Sequence, residues 1–130
     1  MNISVLNTAD QPLYRQIYDQ LAGDILAGAL PPGSALPPIR TVATELKISV
    51  ISVKRAWEEL SRDGYITTAV GRGSFVAALT DARRRQMRRA LLRARLSPGV
   101  EASLALGAAP EEILDAVREL LDREGAEEGT

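Results

Sequence analysis

Between Pro38 and Val76, two short helical stripes, one tight connection and two β-branched runs follow one another with almost no spare residues, an order that leaves few folds open. Ile39, Val42, Ala43 and Leu46 share one face over Pro38–Leu46, where proline is tolerated only at the entry. Lys47–Ile48 leaves room for no more than a tight turn. Ser49 stands where an N-cap belongs, ahead of a second stripe of Val53, Ala56, Trp57 and Leu60 that runs to about Asp63, with Gly64 as its stop. Two short helices joined in this way form a helix-turn-helix layout. Tyr65–Ala69 and Ser74–Leu79 flank Val70-Gly71-Arg72-Gly73, which predicts a hairpin whose glycines take positive φ. A phosphate-binding loop is the competing reading of these glycines. It fails because the fingerprint needs a third glycine where Val76 stands, and a helix where a strand is expected.

Upstream, Leu13, Ile17, Leu21 and Ile25 form an i, i+4 ladder that predicts an amphipathic helix over Gln11–Ala29. Asp10 is its expected N-cap, and Gly28 with Pro31-Pro32-Gly33 its end. Downstream, Thr80 is placed to cap a helix over Asp81–Leu96, which Ser97-Pro98-Gly99 is expected to interrupt. Val100–Leu106 suits a further short turn or two. Pro110 then opens a helix with Ile113, Leu114, Val117, Leu120 and Leu121 on one face. The expected domains are a winged helix-turn-helix over 10–79, a helical dimerisation segment over 80–124 and a disordered tail over 125–130. The fold class is mainly α with a small β-hairpin.

Composition narrows the chemistry. With no cysteine and no histidine, the chain has no disulfides, thiol or imidazole catalysis, and almost no structural zinc arrangement. Carboxylates fall on expected solvent faces without a pocket to tune them, so the chain does not read as an enzyme, and no metal or cofactor is expected. No segment reads as a membrane span or a secretion signal, and a soluble cytoplasmic protein is expected. The net charge of −1 hides a polarised chain. Residues 1–80 balance seven basic against seven acidic side chains. Residues 81–97 set seven arginines against Asp81, giving +6; residues 98–130 set two arginines against nine carboxylates, giving −7.

Helix, helix-turn-helix and a glycine-tipped hairpin carrying an arginine make the winged-helix order. A helix fits the DNA major groove and presents its first-turn residues to base edges, while the hairpin reaches the backbone or the minor groove. The stretch LPPIRTVATELKISVISVKRAWEELSRDGYITTAVGRGSFV, Leu36 to Val76, resembles the DNA-binding domain of the GntR family of bacterial transcription regulators. It shares that family's leucine-proline-x-x-arginine opening, serine-initiated recognition helix, acidic-glycine helix end and glycine-x-glycine wing. The PLYRQIYDQL entry and the short helical tail look like the YtrA-like subgroup.

The resemblance implies a regulator, a repressor in the leading reading, that binds a palindromic double-stranded DNA operator as a homodimer. It places DNA contacts on Arg40, Ser49, Val50, Ile51, Ser52, Lys54, Gly71 and Arg72, with Arg55 adding backbone charge and Gly73 completing the wing. Trp57 belongs to the core. Four positions depart from the family pattern. Val50 stands where a base-reading arginine is usual and Ile51 where a polar residue is, which points to thymine methyl contacts and A/T-containing half-sites. Pro38 replaces a capping serine, and Lys47 a turn glycine.

A dimer interface is expected over Met87, Leu91, Leu92, Leu104, Ile113, Leu114, Val117, Leu120 and Leu121, because about fifty residues cannot bury several such stripes alone. The arginines at 83, 84, 85, 88, 89, 93 and 95 spread around their helix. A solvated face, flanking DNA, and the acidic helix Glu111–Glu124 of the same or a second chain all stay open as their surroundings. A winged helix that binds a partner protein is the alternative function. A small-molecule effector is compatible with the resemblance; no residue identifies one.

Overall fold

A computed structural model describes residues 3–6 and 11–128. The elements run α1 (Leu13–Ala27), α2 (Ile39–Leu46), α3 (Val50–Arg62), β1 (Ile66–Ala69), β2 (Gly73–Val76), α4 (Asp81–Ala105) and α5 (Pro110–Glu128). The chain divides into two units, Met1–Arg84 and Arg85–Thr130.

In the first unit, the α1 ladder of Ile17, Leu21 and Ile25 packs with Val53, Ala56, Trp57 and Leu60 of α3. Val42 and Ala43 of α2, and Ile66 and Val76 of the hairpin, complete the buried core. Each large aliphatic side chain buried in this way contributes about 1.5–3 kcal/mol. Pro12 sits at the N-cap position of α1 and makes no side-chain cap; the expected cap, Asp10, lies outside the described residues. Gly28, at φ 82°, closes α1 two residues before the expected end. Gln16 and Gln20, one turn apart, each exchange a pair of hydrogen bonds with the backbone of Leu6 and Ser4, so their amides act as strand partners for the leading segment.

The turn between α2 and α3 is set by Lys47, at φ 58° and ψ 45°, the residue that stands where the family places glycine. Ser49 caps α3 as expected, its Oγ accepting from the Ile51 N–H at 3.0 Å. Behind α3, Tyr18 Oη donates to Asp63 Oδ2 at 2.5 Å, and the Tyr18 and Tyr65 rings meet edge to face at 5.9 Å. Burial first, then that bond to a carboxylate, holds the Tyr18 phenol well above its ordinary range.

β1 and β2 pair antiparallel from Ile66↔Val76 to Ala69↔Gly73. β2 ends at Val76, short of the expected Leu79. Its outer edge is occupied by residues 33–36: Leu36 N–H donates to Ser74 O, Val76 N–H to Ser34 O, and Gly33 N–H to Val76 O. The connector before α2 thus shields one edge of the hairpin from further pairing.

Two expectations downstream are corrected. α4 is continuous from Asp81 to Ala105, so Ser97-Pro98-Gly99 does not interrupt it, and Val100–Ala105 belongs to the same helix. Proline removes one amide and crowds the carbonyl four residues back. Helix formers on both sides hold the frame, and Ser103 Oγ donates to Gly99 O at 2.7 Å just beyond the defect. α5 continues through Gly125 to Glu128, where a disordered tail was expected; one glycine among good helix formers costs only about 1 kcal/mol. Residues 129 and 130 lie outside the described residues. At its start, Glu112 Oε1 accepts from the Ala109 N–H at 3.3 Å, half of a capping box.

Candidate nucleic-acid interface

Three elements of the first unit carry the residues expected to meet DNA. Cap and core fix the leading turn of α3: Ser49 satisfies one free amide, and Val53 one turn on is fully buried, so the residues between are turned outward. Val50 is 41% exposed and Ile51 77% exposed. A β-branched residue this exposed at a helix start gains nothing from the core, and an apolar surface of this kind is suited to thymine methyls. Ser52 is half-buried. Arg40 is exposed in the first turn of α2, and among the described residues no carboxylate stands within ion-pair distance of it.

The hairpin tip is a tight turn. The Arg72 N–H donates to Ala69 O at 3.0 Å, and Gly71 takes φ 78° at the third position, where a side chain would be strained. Arg72 is exposed beside Val70, which is fully exposed at the apex. Thr68 and Ser74 share a hydroxyl hydrogen bond of 3.0 Å across the strands. They face, together with Ile39, Lys54, Trp57, Glu58, Ser61 and Arg62, an open cleft between the hairpin and α3. Trp57 is buried, as a core residue should be.

The cations along α3 are less free than expected. Lys54 stands 3.9 Å from Glu58. The Arg55 guanidinium lies 3.8 Å from the centre of the Tyr14 ring and 3.9 Å from Glu59, so it ties α3 to α1. Glu59 is another correction: it was expected on a solvent face, yet its side chain is only 17% exposed, and among the described residues its Oε2 accepts no hydrogen bond. Arg55 and Arg62 on either side supply the positive charge that keeps it there.

In the second unit, Leu92, Leu104, Leu114, Val117, Leu120 and Leu121 are exposed, Leu91 and Ile113 are half-buried, and Met87 is buried. The continuous α4 also exposes Leu96 and Val100. Neither was among the expected interface residues, because a helix expected to stop at Leu96 cuts the apolar row before it reaches Val100 and Leu104. The signal was present in the four-residue ladder Leu92, Leu96, Val100, Leu104.

Residues 13–76 match the model of the bacterial regulatory proteins of the gntR family. The chain carries a GntR-family domain. YtrA of Bacillus subtilis (strain 168), an HTH-type transcriptional repressor, is 38% identical over 66 residues, which are 51% of this chain and 51% of that protein. YhcF of the same organism, an uncharacterised HTH-type transcriptional regulator, is 29% identical over 110 residues, 85% of this chain and 90% of that one. The chain spans only 14% to 51% of the length of four curated relatives, YtrA among them. Among solved structures, a transcriptional antiterminator from Listeria monocytogenes EGD-e superposes with a TM-score of 0.74 at 27% identity, over 92% of this chain and 90% of the other. Every residue of the expected DNA-contact set falls inside the GntR domain, and the α4–α5 segment lies beyond its matched range.

Proposed function

We propose that the protein is a cytoplasmic, sequence-specific transcription regulator, a repressor, that binds a palindromic operator as a homodimer. The leading turn of α3 enters the major groove while Arg72 and the hairpin tip lie on the neighbouring backbone or minor groove. One observation carries this reading: Val50 and Ile51 are held out into solvent by a capped helix start, in a unit that also exposes Arg40, which stands in no ion pair among the described residues, and an arginine on a glycine-formed tip. The GntR domain supports it, as do the names of relatives that are regulators and not enzymes. No helix among the described residues is long and apolar enough to cross a membrane.

Two-fold pairing suits the proposal, because paired recognition helices reach successive major grooves about 34–36 Å apart. The exposed leucines and valines of α4 and α5 supply apolar surface for that pairing. The test is titration of fluorescent duplex DNA at several salt concentrations. Binding should weaken steeply with salt, and Arg40→Ala and Arg72→Ala should each lower affinity and flatten the salt slope by about one unit. Retention of a protein partner with no duplex bound even at low salt overturns the DNA reading in favour of a protein-binding winged helix.

A further inference from the structure

The arginines of α4 divide into two groups. Arg84 turns inward: its Nη1 donates to Ile25 O at 2.8 Å and Leu26 O at 3.2 Å, closing the C-terminal end of α1. Arg85, Arg88, Arg89 and Arg93 are exposed, and among the described residues they stand in no ion pair. Arg85, Arg89 and Arg93 repeat every four residues, so they share one helical face with Arg88 and Leu92 beside them. The apolar ladder Leu96, Val100, Leu104 continues that same face.

α5 offers the complement. Glu111, Asp115 and Glu119 also repeat every four residues, with Asp122 next to them, and all four are exposed. Among the described residues, Asp115 is engaged within its own helix, by Arg118 at 2.9 Å. Beside this acidic face run the exposed Leu114, Val117 and Leu121. Four residues advance a helix by about 6 Å, so both charge rows have the same pitch. Within one chain the two rows form no ion pair among the described residues.

We propose that the Arg85–Arg89–Arg93 face of α4 docks on the Glu111–Asp115–Glu119 face of α5 in a second copy of the chain, with the two apolar ladders closing alongside. The inference rests on the homodimer reading and names the side chains that set its register. Charge complementarity selects a second copy as the occupant: the basic segment carries +6 and the acidic one −7, and among the described residues the two rows make no ion pair with each other within the chain. The apolar ladders supply adhesion, and the charge rows decide which faces meet. The dimer is therefore weakened by salt.

Sedimentation equilibrium of the full chain tests this. The wild type should be a dimer whose dissociation constant rises with salt. Arg85→Glu, Arg89→Glu and Arg93→Glu combined should weaken it about tenfold or more. Mixing that variant with Glu111→Arg, Asp115→Arg and Glu119→Arg should restore association as a heterodimer. A wild type that stays monomeric at all concentrations overturns the homodimer and the pairing together. A wild-type dimer that the arginine reversals leave intact overturns the pairing alone. Loss of duplex affinity with unchanged mass assigns the arginine face to DNA and likewise overturns it.

Discussion

At the scale of single residues, Lys47 and Tyr18 each have an energetic consequence that can be measured. Lys47 holds a left-handed backbone at φ 58° with a side chain in place, which costs about 1–2 kcal/mol relative to glycine, part of it offset by glycine's larger entropy loss on folding. Lys47→Gly should therefore raise the denaturant midpoint by the equivalent of about 0.5–1 kcal/mol. Tyr18→Phe should cost about 1 kcal/mol at neutral pH, since it removes the bond to Asp63. The folded-state pKa of Tyr18 is raised, so its contribution is complete below the unfolded value of about 10 and is lost as pH rises beyond that. Denaturation of both proteins from pH 8 upward should show the penalty of Tyr18→Phe shrinking above about pH 10. An unchanged gap contradicts the assignment.

At the scale of elements, the periodic helices and the hairpin were legible because each is written in local chemistry. The ladder Ile17, Leu21, Ile25 marked α1, Ser49 marked the start of α3, and Gly71 marked the turn. What escaped is non-local or depends on the balance of a whole helix. The 33–36 connector pairs with β2 across about forty residues of chain, and no pattern within it says so. The stack of Arg55 on Tyr14 needs two helices to be packed before it exists. Pro98 reads as a breaker because its local penalty is real, yet the turns on either side outweigh it. Pro98→Ala should restore the missing backbone bond and stabilise α4 by up to about 3 kcal/mol, seen as greater helical circular dichroism and a higher melting temperature. A lower melting temperature would show that a bend at Pro98 is needed by what packs on α4.

At the scale of the whole molecule, the two units differ in how their apolar residues are used. The first closes its own core with Ile17, Leu21, Val53, Leu60 and Ile66. The second leaves Leu92, Leu96, Val100, Leu104, Leu120 and Leu121 exposed, a surface that suits association with another chain. The residues proposed to meet DNA were named from motif and spacing, and the structure exposes Arg40, Val50, Ile51 and Arg72 among them. The engagement of Lys54 by Glu58 and of Arg55 by Glu59 was not, because it depends on side-chain geometry. The most direct measurement is selection of bound fragments from random duplex DNA with the purified chain. Two inverted half-sites about one helical turn apart are expected, with A/T pairs facing Val50 and Ile51. Guanine at those positions would contradict the thymine-methyl contacts, and failure to retain any duplex at low ionic strength would contradict the placement of α3 in the groove.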